Sequence, residues 1–365
     1  MRLNVHFFNV NHGDSIVIEI QSDVNKYIVL DSNLVKKDSG FINPSYEFLK
    51  SKQVKTINAV IISHFDMDHI AGMEDFIENF DIQDFFIPPI FSKNINIFKK
   101  EFGNIAEKMY EIINRTSEES ITRKMTSLAW ILNFIRKNRE RVQELCGQEN
   151  RLKISGINED EITGSVYLPI PKMKSLLHQI IEKGNFELDF NSKMNDISIA
   201  FKIEFCGYSL LFTGDSTKTQ WTEHERILKK GNVTCLNATH VKVPHHGSRE
   251  DNDSKVFRYF ISDSSICREV FISANGVSHP HKEFFGLVED FKLMPHCTNI
   301  SEWCFPPNVL PFKNLSDIPK DMHSFLLNYG VESKPIPCQG DIVLSIDDSG
   351  YKIVGSTGLP CVYWS

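Results

Sequence analysis

The chain has 365 residues, of which 41% are hydrophobic and 24% charged, with a formal net charge of −7. That is a globular composition, with enough chain to bury the core of one large domain or two smaller ones. It excludes a chain disordered throughout and a uniformly basic coat, and its apolar runs fall far short of the ~20 residues that a membrane-spanning helix needs.

Leu3, Val5 and Phe7 alternate with polar neighbours from the start, so the N-terminus reads as a strand and not as the apolar core of a signal peptide. The eight cysteines include no CxxC pair, and without a secretory signal they read as reduced thiols in a cytoplasmic protein. Asn11-His12-Gly13-Asp14 is a turn, residues 16–20 and 27–30 are short strands, and the second strand ends at Asp31. A helix is expected over 44–50. The apolar run 58–62 reads as a buried strand that leads straight into Ser63-His64.

Residues 91–184 read as a helical insertion within a single domain spanning 1–365. Phe98, Phe102, Ile105, Met109, Ile112 and Ile113 recur at helical spacing. So do Ile121, Met125, Leu128, Leu132 and Ile135, carrying on towards Val142 and Leu145. Thr116 and Glu119 have the spacing of a capping box for that second helix. Residues 121–153 hold eight Lys/Arg against three acids, a net of +5 that leaves about −12 for the rest of the chain. Strands return over 197–205, then at 210–212 before Thr213-Gly214-Asp215, at 241–243 before Pro244-His245-His246, and at 270–273. A β-pair closes the chain between Cys338 and Val354, turning at 347–350, and residues 296–329 read as an irregular excursion.

Several apolar strands thus end in His or Asp, and a strand end is a rigid platform for polar groups that must converge. The densest such end is His64-Phe65-Asp66-Met67-Asp68-His69, four nitrogen or oxygen donors within six residues. Two such clusters are what a pair of metal ions ~3.5–4 Å apart requires. Gly214-Asp215, Pro244-His245-His246-Gly247-Ser248 and Ser278-His279-Pro280-His281 follow, so that with His12 of the N-terminal turn seven of the 13 histidines fall in or beside such motifs.

In this order the motifs resemble the metallo-β-lactamase superfamily, and within it the branch typified by the soluble hydrolase domain of the competence protein ComEC. The likeness covers residues 1–90 and 190–355 and rests on the Asn11–Ser15 turn, Leu30-Asp31, His64 to His69, Asn195 with Ser198 before Asp215, Pro244 to Ser248, and His279 to His281. It implies an α/β, αββα sandwich and two divalent ions, Mn²⁺ or Zn²⁺. His64 and Asp66 would bind the first ion, Asp68, His69 and His245 the second, and Asp215 both. A carboxylate at 66, where most relatives have histidine, hardens the first site and tilts it towards manganese. Most relatives carry a further histidine ligand before the bridging aspartate; here Asn195, Asp196 or water is left for that place. Asp31 would orient a ligand histidine. His12 either lines the pocket or stabilises its turn, and Asp14 is open between the same two roles.

The chemistry so implied is a metal-bridged hydroxide attacking an electrophilic centre, with Asp68 among the catalytic groups. His281, with His279 second, would bind a phosphoryl oxygen or protonate the leaving group, while His246 and Ser248 position the scissile group; hydrogen-bonded support is the alternative for these four. Phosphodiester hydrolysis, as in a DNase, is the expected activity, with the basic insertion tracking nucleic acid or simply forming a solvated face. An ester, lactone or cyclic-nucleotide hydrolase is the first alternative. A metal-binding regulatory or effector subunit, acting with a partner protein in a bacterial defence system, is the second.

Overall fold

A computed structural model describes residues 1–37, 40–89, 119–147, 150–170, 194–229, 235–261, 268–274, 278–299 and 338–357. In chain order the elements are β1 (Arg2–Phe7), β2 (Ile16–Gln21), β3 (Lys26–Leu30), β4 (Val35–Lys37), β5 (Gly40–Ile42), α1 (Pro44–Ser51), β6 (Thr56–Ile61), α2 (Met67–Ile70), α3 (Met73–Asn79), β7 (Asp81–Ile87), α4 (Glu119–Lys137), β8 (Val142–Glu144), β9 (Asn150–Arg151) and β10 (Thr163–Leu168). There follow β11 (Ala200–Phe205), β12 (Tyr208–Phe212), α5 (Lys218–Lys229), β13 (His240–Lys242), α6 (Ser254–Phe260), β14 (Glu269–Ile272), α7 (Lys282–Phe291), β15 (Met294–Cys297), β16 (Ile342–Asp347) and β17 (Gly350–Gly355).

The strands form an eight-stranded sheet, β17-β16-β1-β2-β3-β6-β7-β8, and a seven-stranded sheet, β15-β14-β13-β12-β11-β10-β9. Period-two alternation assigns each side chain to a layer. Leu3, Val5 and Phe7, with Ile16, Ile18 and Ile20, meet Phe201, Ile203, Leu210 and Phe212 between the sheets. Val17, Val29, Val60 and Phe85 face outward, onto Leu49 of α1, Phe76 of α3 and Leu128, Ile131 and Leu132 of α4. On the far side Leu211, Val241 and Val270 pack against Trp221, Phe257, Phe260 and Phe284 from α5, α6 and α7. The layers are therefore helix, sheet, sheet, helix, the metallo-β-lactamase-type sandwich expected from the sequence. No helix among the described residues is long and apolar enough to cross a membrane.

The stretch expected as a helical insertion is built differently. Among its described residues only α4 is a long helix, and it ends at Lys137 instead of running on to Val142 and Leu145. Val142–Glu144 pairs with β7 in the first sheet, and β9 and β10 extend the second. Val142 and Leu145, three residues apart, keep a helical spacing in the sequence, but in the sheet they fall on opposite faces, Val142 towards the helices and Leu145 between the sheets. The expected helix over Phe98 to Ile113, the Thr116 cap, and residues 300–329 of the excursion lie outside the described residues.

The basic charge of this stretch is partly spent at home. Arg141 pairs with Asp81 at 2.7 Å and Arg151 with Glu159 at 2.6 Å, while Arg136 and Lys137 are exposed at the end of α4. Trp130 is half-buried and Phe134 buried against Phe85. Because Ile131 has no exposed surface, Ile131→Ala is expected to cost ~2–5 kcal/mol in urea unfolding. A loss under ~1 kcal/mol would mean that α4 is a detachable appendage and not part of the core.

Candidate metal centre

The polar groups gather where strands of both sheets end. Asp31 follows β3, His64 follows β6, Asp215 follows β12 and His246 follows β13, while the β1–β2 turn carries His12 and Asp14. That turn is pressed against the first motif: Asp14 N donates to Asp68 O at 3.1 Å, and a Cβ on Gly13, whose φ is +98°, would lie 2.0 Å from the same oxygen. Gly214 is likewise in the left-handed region, with φ +52°. A Cβ there would meet Ser198 Oγ at 2.4 Å, the atom that accepts from Asp215 N.

Asp31 sets the histidine tautomers. Its Oδ1 accepts from Ser63 N at 2.7 Å, and its Oδ2 accepts from the Ser63 hydroxyl at 2.6 Å and faces His69 Nδ1 at 2.8 Å. A carboxylate only accepts, so His69 Nδ1 carries the proton and Nε2 holds a lone pair. The Ser63 hydroxyl, its proton spent on Asp31, can only accept from His64 Nδ1 at 3.0 Å, so His64 Nε2 is also a lone-pair nitrogen. Both Nε2 atoms are fully buried and have no hydrogen-bond partner, and the same holds for His246 Nε2 and Asp215 Oδ1.

Asp68, His69, Asp215 and His246 present ligand atoms within 4.8 Å of one another. Asp215 Oδ2 lies 3.3 Å from both His69 Nε2 and His246 Nε2, and Asp68 Oδ2 lies 3.7 Å and 3.5 Å from the same two nitrogens. Beside them His64 Nε2 is 3.5 Å from Asp66 Oδ2, with the His64 and His69 rings 4.2 Å apart. Buried nitrogens without partners, converging on carboxylates, fit a divalent metal. Asp14, Asp31 and His69 form a second tight acidic group, but there Nδ1 is taken by Asp31 and the Asp14 carboxylate by Lys242.

The electrostatics follow from this crowding. Burial would raise the Asp215 and Asp68 carboxyls, but the His246 and His69 rings beside Asp215, and His69 and His12 beside Asp68, hold both well below the carboxylate range. Burial would lower His246, yet Asp215 and Asp68 hold it up to about 9. His279 is pushed down to about 4 by burial and by its neighbours His246, His245 and His12.

The remaining sequence candidates fall around this cluster. His12 Nε2 lies 3.0 Å from Asp68 Oδ2 with half its side chain exposed, so its turn lines the pocket. His245, expected beside Asp68 and His69, is replaced in that group by His246. Its own Nδ1 faces Asp251 at 2.6 Å, and its Nε2 lies 4.0 Å from Asp215 Oδ2 and 3.4 Å from Asn195 Nδ2. Asn195 Oδ1 is buried without a partner, whereas Asp196 accepts from Thr217 Oγ1 at 2.9 Å. Ser248 closes the loop, its N donating to His245 O and its O accepting from Asn252. His281 caps α7, contacts Glu283 through Nδ1, and donates its N–H to Gly247 O at 3.1 Å. The sequence reading missed Asp251 and Lys242. A lysine between Val241 and Val243 in an otherwise apolar strand was the available signal.

The model for the metallo-beta-lactamase superfamily matches residues 9–96, which hold the first motif. No curated protein matches the chain. Among solved structures, a protein of unknown function from Enterococcus faecalis V583 is 12% identical, with 67% of this chain and 50% of that one covered and a TM-score of 0.33. CmlA, a diiron β-hydroxylase from Streptomyces venezuelae, is 14% identical, with 76% and 46% covered and a TM-score of 0.36. A diphosphatase from the PhnP family is 11% identical, with 97% and 99% covered and a TM-score of 0.34. The chain spans about half the length of the first two. Gly13→Ala should strain the turn against Asp68 and lower stability by more than ~1 kcal/mol; unfolding in urea at the wild-type midpoint would show that the turn has room to move.

Proposed function

We propose that this chain is a member of the metallo-β-lactamase superfamily whose site holds two divalent metal ions and hydrolyses a phosphodiester. One observation carries the reading: the buried, unpartnered Nε2 atoms of His69 and His246 converge with Asp68 and Asp215, and the unpartnered Nε2 of His64 lies beside them, 3.5 Å from Asp66. His64 and Asp66 would hold one ion, Asp68, His69 and His246 the other, and Asp215 would stand between them. His246 thus takes the place first expected for His245, because it is His246 whose Nε2 points at both Asp68 and Asp215.

The ions, when bound, supply an acidified water and neutralise charge that builds on the phosphoryl oxygens. The chain's own groups do the rest. Asp31 and Ser63 fix the tautomers of His69 and His64. Asp251 orients His245, whose Nε2 lies at the pocket beside Asn195. His279, neutral at neutral pH, can offer a hydrogen bond to a phosphoryl oxygen but has no proton to give away as a strong acid. His281, with Glu283 on Nδ1, is the better group to carry a proton to the leaving oxygen, as in the familiar carboxylate–histidine pairing.

An oxygen-rich donor set suits phosphoryl chemistry, and the resemblance to the ComEC hydrolase domain supports a nucleic acid as the diester. Pairing of Arg141 and Arg151, two of the eight basic residues of the stretch, with acids reduces the charge it can offer a strand, and a small diester is the second reading. Purified protein loaded with Mn²⁺ or Zn²⁺, against EDTA-treated protein, should be assayed on bis(p-nitrophenyl) phosphate, cyclic nucleotides, single- and double-stranded DNA, and RNA. His246→Ala is expected to lose one ion per chain and at least ~10²-fold in kcat, and His281→Gln to lower kcat with both ions retained. Two bound ions with no turnover of any of these diesters would sink the assignment.

A further inference from the structure

We propose that Lys242 is a positioning residue for Asp215, a fixed ammonium beneath the pocket that leaves one carboxylate oxygen, Oδ2, to face both ion positions. This rests on the two-ion reading above. Lys242 is the last residue of β13 and only 2% exposed, although its neighbours Val241 and Val243 belong to the apolar layer under α5, α6 and α7. Its side chain points the other way, between the sheets. There Nζ contacts the Asp14 carboxylate, donates to Gly214 O at 3.1 Å and lies 3.6 Å from Asp215 Oδ1.

Each of these contacts fixes something. Asp14 belongs to the β1–β2 turn of the first sheet, and its N–H is tied to Asp68 O. Gly214 and Asp215 follow β12 of the second sheet. The ammonium therefore spans both sheets at the level of the ligands. Gly214 O also accepts from His245 N at 3.2 Å, so the loop carrying His245 and His246 is tied to the same peptide. With Oδ1 turned to the lysine side, at ion-pair distance from the ammonium but beyond hydrogen-bond reach, Oδ2 is the atom 3.3 Å from both His69 and His246. A carboxylate free to rotate would instead chelate one ion with both oxygens and give up the bridge. Like charge does not argue against the arrangement, because Asp14 and Lys242 together are neutral, and the cluster still carries Asp66, Asp68 and Asp215 to meet the ions.

The test uses manganese chloride alone on the full chain. Wild-type protein is expected to retain two Mn²⁺ per chain by elemental analysis and to show the electron paramagnetic resonance signal of an exchange-coupled pair. Removing Lys242 alone would strand Asp14, so the informative variant is Asp14→Asn/Lys242→Met, which removes both charges and is checked for folding by thermal melting without metal. A cooperative melt, a second ion at least tenfold weaker and a spectrum of isolated Mn²⁺ support the proposal, and Lys242→Arg, which keeps the charge, should restore part of the coupling. Should the double variant not melt cooperatively, Asp14→Asn/Lys242→Gln, which keeps a donor for Gly214 and removes both charges, carries the same comparison. A second ion bound as tightly as in wild type, or more tightly, with coupling intact, overturns it. Wild-type protein that holds no coupled pair overturns the two-ion reading and this one with it, a result visible before any variant is compared.

Discussion

An ammonium and a carboxylate buried side by side between two β-sheets constrain everything near them. Either one left alone in that interior is expected to cost ~3–5 kcal/mol. Lys242 and Asp14 meet there because β13 ends on one sheet where the β1–β2 turn of the other passes over it. The pair fixes the distance between the sheets at the level where each delivers its share of the cluster. His64, Asp66, Asp68 and His69 come from the first sheet, Asp215 and His246 from the second.

Around that link the backbone is bent to suit the side chains. His245 and His246 both sit in the left-handed region, at φ +45° and +52°, a conformation that costs of order 1–3 kcal/mol for each such residue. The loop is held in it from several sides. Ser248 N bonds to His245 O, Asn252 Nδ2 reaches both Pro244 O and Ser248 O, and His245 N bonds to Gly214 O. A relaxed loop could not turn two successive histidines towards the same pocket. The strain and the convergence have one cause. Asp31, also in the left-handed region at φ +55°, works on the other side of the site, where one carboxylate at the end of β3 settles the proton positions of His64, through Ser63, and of His69 directly.

Much of this was legible in the amino-acid sequence, for physical reasons that differ by element. Alternation in Leu3-Val5-Phe7 and Ile16-Ile18-Ile20 carries the inter-sheet core directly, because period two has no other structural reading over that length. The clustering of His and Asp at strand ends carried the site. What did not show was which of two adjacent histidines faces the acids: His245 and His246 are chemically identical in sequence, and only the left-handed backbone of the loop decides it. The boundary after Lys137 did not show because Val142 and Leu145, three residues apart, continue the helical spacing, although in the structure they face opposite sides of the first sheet. Lys242 was passed over for a related reason. A lysine in a short strand reads as solvent-facing unless its partner, 228 residues away at Asp14, is known.

The layer between the first sheet and its helices contains two residues from the other half of the chain. Met194 and Ile197, just before β11, are buried with Phe65, Ile70 and Leu128. The two halves are therefore threaded through one another as well as stacked. Neither half can close its own core: residues 1–89 alone would bare Leu3, Val5, Ile16 and Ile18 on one face of their sheet and leave a gap in the packing on the other. As a consequence the molecule is expected to respond to proteolysis or truncation as one cooperative unit. A fragment carrying the whole His64-to-His69 motif would have every ligand of that motif and no stable place to hold them.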